Sequence, residues 1–137
     1  MTKVILITGG SRGIGATVAR LAGQQGYSVC VNYRQDREAA ESVVESIEDG
    51  GARAIAVLAD VSVESDVKRL FAKVDELLGP LSALVNNAGI LEKQMRVDSM
   101  DAARLHRIFA TNVVGSFLCA REALSTLYPL IRMSTTG

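Results

Sequence analysis

The apolar run Val4-Ile5-Leu6-Ile7 leads directly into "TGGSRGIG", in which glycines occupy positions 9, 10, 13 and 15. A buried strand that ends in closely spaced glycines and feeds a helical pattern leaves few architectures open. The glycines permit a tight turn and close backbone approach, and the following helix offers its N-terminal amides to an anion. A turn that merely packs helix on strand would use the same glycines. The spacing T-G-x-x-x-G-x-G, from Thr8 to Gly15, lacks the Gly-Lys-Ser/Thr of a P-loop and differs from G-x-G-x-x-G. It therefore disfavours a triphosphate-hydrolysing site and keeps the physics of a dinucleotide pyrophosphate loop.

The strand-helix unit recurs along the chain. An apolar stripe at Ile14, Val18, Leu21 and Ala22 ends at Gly26, and residues 28–33 ("SVCVNY") read as a second strand. Ala40, Val43, Val44 and Ile47 mark the face of a second helix closed by Gly50-Gly51. A third strand over residues 54–59 leads to a helix with Val67, Leu70, Phe71, Val74, Leu77 and Leu78 on one face, stopped by Gly79-Pro80. A fourth strand opens "LSALVNNAG", residues 81–89. Beyond a polar loop at 91–99, a long helical pattern places Leu105, Ile108, Phe109, Asn112, Val113, Ser116, Phe117, Ala120 and Leu124 on one broad face until Pro129. Near-continuous apolar strands alternating with helices predict an α/β, Rossmann-type doubly wound parallel sheet, with residues 1–137 as one dinucleotide-binding domain.

Composition narrows the function. Fifteen basic and fifteen acidic residues cancel, so no net positive field advertises nucleic acid or an anionic membrane. Cys30 and Cys119 lie in apolar segments without CxxC spacing and read as buried thiols in a reducing compartment, and no metal site is expected. Gly9 and Gly10 end the first apolar run too early for a signal peptide, and no stretch reaches membrane-spanning length, so a cytoplasmic protein is expected.

The end of the second strand bears on the choice of dinucleotide. Folds of this kind usually carry an acidic residue there to bind the adenosine ribose hydroxyls, whereas this chain has Asn32-Tyr33-Arg34. Arg34, with Arg12 in the glycine loop, would flank a 2′-phosphate with fork-shaped donors, which favours NADP. Two ordinary solvated arginines would look the same, and Asp36 keeps NAD open.

Four landmarks in order resemble the short-chain dehydrogenase/reductase family: Thr8-Gly9-Gly10-Ser11-Arg12-Gly13-Ile14-Gly15, Asp60-Val61, Asn86-Asn87-Ala88-Gly89 and Asn112. The resemblance covers essentially the whole chain and is nearest to the sugar-alcohol, glucose-dehydrogenase-like and ketoacyl-reductase-like branches. It implies a hydride transfer between nicotinamide and a carbonyl or secondary alcohol, a small-molecule substrate, and a homo-oligomer as family members commonly form. It implies that Asp60 meets the adenine amine with Val61 beside the ring, while the run from Asn86 through Asn87 and Ala88 to Gly89 supports the sheet and lines the cofactor ribose. Asp60 would alternatively cap the next helix, as would Ser62, and the NNAG run would alternatively be only a turn. Asn112 falls within an apolar stripe, where an amide needs partners. The resemblance makes it the asparagine that holds a water in a proton relay; neighbouring backbone would also satisfy it. His106 falls off the stripe and reads as a surface residue.

Family catalysis also needs Tyr-x-x-x-Lys and a substrate-orienting serine. No Tyr-x-x-x-Lys occurs among these residues. Tyr128-Pro-Leu-Ile-Arg132 imitates it, but Pro129 breaks the helical geometry and arginine is a poor replacement for that lysine. "IRMSTTG", residues 131–137, resembles the lead-in to the family's fifth strand. The expectation is an N-terminal portion whose sheet stops at strand four, exposing the edge at Ala83, Leu84 and Val85, and which does not turn over alone. The alternatives are a non-catalytic dinucleotide-binding or regulatory module, or a truncated product without independent function.

Overall fold

The β-branched and aliphatic runs become four strands, β1 (Val4–Ile7), β2 (Ser28–Tyr33), β3 (Ala54–Leu58) and β4 (Ala83–Val85). The computed structural model describes the backbone of residues 2–135 and the side chains of residues 2–127. All strand pairs are parallel, in the order β3-β2-β1-β4, with Ile5 opposite Val29 on one side and Ala83 on the other. After β3 the chain crosses to the far side of β1, so the order reverses between β1 and β4, and β4 is the outer strand as expected. Helices α1 (Gly13–Gln24), α2 (Arg37–Asp49) and α3 (Glu64–Leu77) connect the strands. A 3-10 turn at Val97–Ser99, α4 (Ala102–Phe109), a π turn (Ala110–Val114) and α5 (Gly115–Thr135) follow β4.

Alternate strand residues build two apolar layers. Ile5, Ile7, Val29 and Val31 face α1 and α2 through Ala16, Ala19, Ala22, Ala40, Val43 and Ile47. Val4, Leu6, Cys30 and Val57 face the other way, against Leu70 and Val74 of α3 and Ala123 of α5. Both cysteines are free and buried. Burial pushes the Cys30 thiol up to about 12, and burial with the nearby Glu122 charge pushes Cys119 up to about 11, which keeps both unreactive.

Three helical expectations are corrected. The buried face of α1 is Gly15, Ala16, Ala19 and Ala22, while Ile14 and Leu21 of the expected stripe are 77% and 52% exposed. Small residues win because this helix lies close against the strands and loop. Along α4 and α5 the expected apolar face is likewise turned outward, with Phe109 57%, Phe117 74% and Leu124 55% exposed. Arg104, Thr111, Cys119 and Ala123 are buried instead. A Cβ on Gly115 would lie 2.8 Å from Val61 Cγ2, so close approach to the β3 loop selects the small-residue face, and the π turn shifts the register of everything beyond it. Finally, the helix passes through Pro129 to Thr135 rather than ending there, and residues 131–135 are helical, not an extended lead-in to a strand. A proline's fixed φ is itself helical, so one lost hydrogen bond need not end the helix. The side chains from Tyr128 onward, Arg132 included, and the whole of residues 136–137 lie outside the described residues.

Candidate functional site: a cleft at the carboxyl ends of the strands

A cleft of about 350 Å³ opens where the carboxyl ends of β1, β2 and β3 meet the loop after β4. Its position is dictated by the reversal of strand order, which leaves a crevice between the loops that depart in opposite directions. The glycine loop forms one wall. Gly9 turns there at φ +61°, a left-handed conformation suited to glycine. A Cβ on Gly15 would lie 2.5 Å from both the Gly9 carbonyl oxygen and Asn87 Nδ2, so only glycine lets α1 begin this close to the loop. Arg12 occupies the N-cap position of α1 without a capping side-chain bond, and no acid sits in the first turn. This contrasts with α2 and α4, whose first amides are capped by Asp36 and Asp101.

Asn32 organises that wall. Its side chain is buried; Nδ2 donates to the carbonyls of Val57 (3.2 Å) and Ala59 (3.1 Å), and Oδ1 accepts the Gly9 amide at 3.2 Å. The Asn32 carbonyl accepts the Gly10 amide at 2.9 Å. Two successive amides of the loop are thus used by the protein, and the loop is tied at once to β2 and β3.

The opposite wall is the NNAG run. Thr8 Oγ1 accepts the amides of Asn87 and Ala88, each at 3.0 Å, while Asn87 Nδ2 donates to the Gly9 carbonyl at 3.0 Å. Asn86 Nδ2 donates to the Ser116 carbonyl at 3.1 Å, joining β4 to α5. Asn112 lies in the π turn and grips Ile90 from both sides: Oδ1 accepts the Ile90 amide at 2.7 Å and Nδ2 donates to its carbonyl at 3.0 Å. Arg104 donates to the Lys93 carbonyl and lies 3.7 Å from Glu92, which also takes a 2.7 Å bond from Arg107. The segment beyond Gly89 is therefore fastened to α4 and the π turn at three successive points.

At the far end of the cleft, Arg34 Nε lies 3.6 Å from Asp60 Oδ2. Asp60 caps no helix; its Oδ1 accepts the Ser62 amide (3.0 Å) and hydroxyl (2.7 Å), and the N-cap of α3 is Val63, not Ser62. Partial burial pushes the Asp60 carboxyl up, but the two Ser62 bonds and the Arg34 charge outweigh it and hold the group below its ordinary value of 3.8. With the folded pKa depressed, the stability it contributes is complete above that ordinary value and is lost as pH falls below it. The stability difference between the protein and its Asp60→Asn variant should therefore shrink on acidification from about pH 5 to about pH 2, measured by chemical denaturation.

Of the residues singled out in the sequence, Gly9, Arg12, Gly13, Asn32, Arg34, Asp60, Val61, Ala88 and Gly89 line the cleft. Ser11, Ile14, Gly15, Asn86 and Asn112 stand behind or beside it, and Tyr33 is packed in the core. Asn87 of the recognised NNAG run lines it too, and Gln35, Ala59, Ile90 and Thr111 do so without having been singled out. Asn87 was inside a recognised run, and its role shows only through its bond to Gly9, 78 residues away in sequence. Among the described residues, no group of histidines, cysteines and acids is arranged to hold a metal ion, and no helix is long and apolar enough to cross a membrane.

A parallel sheet in this order, with a glycine loop at its switch point, defines a Rossmann-type α/β protein. A family model described as short chain dehydrogenase matches residues 3–134, and the chain belongs to that family of oxidoreductases. It is 47% identical over 124 residues to an uncharacterized oxidoreductase of Escherichia coli, YgfF, covering 90% of this chain and 50% of that protein. It is 39% identical over 123 residues to the 3-oxoacyl-(acyl-carrier-protein) reductase FabG of Staphylococcus aureus, again covering 90% and 50%. A solved short-chain dehydrogenase/reductase of Serratia marcescens, a doubly substituted mutant, superposes with a TM-score of 0.87 at 30% identity, covering 90% of this chain and 50% of that one. The chain spans about half the length of the curated relatives it matches.

Proposed function

We propose that this domain binds NADP in preference to NAD, as the cofactor-holding part of an oxidoreductase that moves a hydride between nicotinamide and a carbonyl or secondary alcohol. The observation that carries the preference is at the end of β2. Arg34 and Arg12 both line the cleft, while Asp36, the acid nearest that strand end, is committed to capping α2 through a 3.0 Å bond from the Ala39 amide. A 2′-phosphate is met by guanidinium groups, and no carboxylate directly following β2 is free to take the ribose hydroxyls of NAD.

The rest of the cleft fits the same cofactor. The uncapped, acid-free first turn of α1 leaves amides and a positive dipole end for the pyrophosphate. Asp60 and Val61 suit the adenine, and Ala88 and Gly89 the ribose on the nicotinamide side. When bound, the cofactor's nicotinamide gives or accepts the hydride; this chain's residues bind and orient it. Asn112 fixes the wall through Ile90 and retains one N–H and one oxygen lone pair on its side chain, enough to hold a relay water. With no Tyr-x-x-x-Lys among its residues, this chain does not turn over alone.

Titration of the purified chain with NADPH and NADH tests the reading. NADPH should bind at least about tenfold more tightly, and Arg34→Met should lower NADPH affinity about tenfold while leaving NADH within about twofold. Equal affinities, or tighter NADH binding, would overturn the preference, and carbonyl reduction by the chain alone would overturn the claim that it lacks its acid/base.

A further inference from the structure

The contact between Arg34 and Asp60 joins two residues to which the cofactor reading gives separate tasks. The two partners are not equally free. Asp60 is held by both Ser62 bonds on Oδ1, and its own amide donates to Asp66 Oδ2 at 2.8 Å, so its position is fixed by the turn after β3. Arg34 is half exposed and, among the described residues, makes no side-chain hydrogen bond; the 3.6 Å approach to Asp60 Oδ2 is its ion pair. The anchored carboxylate therefore sets where the guanidinium rests, and it does so inside the cleft, which both residues line.

We infer that Asp60 is a specificity-determining residue. By pairing with Arg34 it competes with a 2′-phosphate for the same guanidinium and narrows the preference for 2′-phosphorylated over 2′-hydroxyl adenosine. This rests on the reading of Arg34 as the 2′-phosphate partner. A ligand with a 2′-hydroxyl has no charge to place on Arg34 and leaves the pair intact. A ligand with a 2′-phosphate must draw the guanidinium away from Asp60. Because the pair is partly solvated, the competition is modest, on the order of five- to tenfold in relative affinity.

Adenosine 2′,5′-bisphosphate and 5′-AMP are suitable probes because they differ only in the 2′-phosphate. Their dissociation constants are measured by calorimetry for the unmodified chain, Asp60→Asn, Arg34→Met and the double variant. Asparagine keeps an oxygen for Ser62 and removes the charge. The preference for the bisphosphate should rise about five- to tenfold in Asp60→Asn, and this gain should fall to about twofold or less when Arg34 is also replaced. Both ligands are measured on the same preparation, so loss of folded protein cancels in the ratio. If Asp60 serves only the adenine, both ligands weaken together and the ratio stays put, which overturns the inference. A lower ratio, meaning that Asp60 presents Arg34 to the phosphate, overturns it, as does a full gain that persists without Arg34. If the unmodified chain shows no preference and Arg34→Met changes nothing, the NADP reading fails and this inference falls with it.

Discussion

Gly15→Ala is expected to destabilise the domain by about 2 kcal/mol and to weaken NADPH binding about 100-fold in the molecules that remain folded. Glycine within a helix is ordinarily worse than alanine by about 1 kcal/mol, so without a special constraint the substitution would stabilise α1. Here the added Cβ would stand 2.5 Å from the Gly9 carbonyl oxygen and from Asn87 Nδ2, and 3.0 Å from Gly10 Cα. None of these can retreat cheaply. The Gly9 carbonyl takes the Asn87 bond, and the Gly9 and Gly10 amides are both held by Asn32. The first turn of α1 must shift instead, carrying its amides away from the pyrophosphate position. Urea denaturation and a fluorescence titration read the two effects. A stabilised variant with unchanged affinity would show that the close approach of loop and helix is unimportant.

Asn32→Leu is the second large effect, a loss of about 3 kcal/mol. Leucine has the same branched heavy-atom skeleton and is somewhat larger, so no cavity opens and the loss comes from the stranded polar groups together with crowding at a buried site. The Val57 and Ala59 carbonyls lose a buried donor and the Gly9 amide loses its acceptor. Each stranded group costs about 1 to 3 kcal/mol, reduced where cleft water reaches it. For a domain whose total stability is on the order of 5 to 15 kcal/mol, this is a large share. It should appear as a lower urea midpoint with an unchanged slope. A loss below about 1 kcal/mol would mean that the loop is held without this side chain.

Strands and helices were largely legible because their signals are local. The β2 run at Ser28–Tyr33 coincides with the observed strand, and Ala40, Val43 and Ile47 form the buried face of α2 as their spacing implies. The spaced glycines marked the loop, and Arg34 and Asp60 reach the same cleft. What failed to show was which side of α1 and of α4 and α5 is buried. Hydrophobic periodicity assumes that the largest apolar side chains face inward. Where a helix approaches the neighbouring backbone closely, volume decides instead, and Ala19 or Cys119 is buried while Ile14 or Phe117 is not. The role of Asn32 was also hidden. Its position suggested a ligand contact, but its hydrogen bonds go to Gly9, Val57 and Ala59.

The order of elements, the parallel α/β class and the dinucleotide-type loop follow from the one-dimensional pattern, because propensity, period and glycine spacing act over a few neighbouring residues. The clamp on the loop, the Asn112 grip on Ile90 and the Arg34–Asp60 pair do not. They join residues 22 to 27 positions apart, and the Thr8 contacts to Asn87 and Ala88 span 79 and 80. Such contacts exist only once the sheet has brought the carboxyl ends of its strands together, and the distances between packed backbones then decide which side chains can meet.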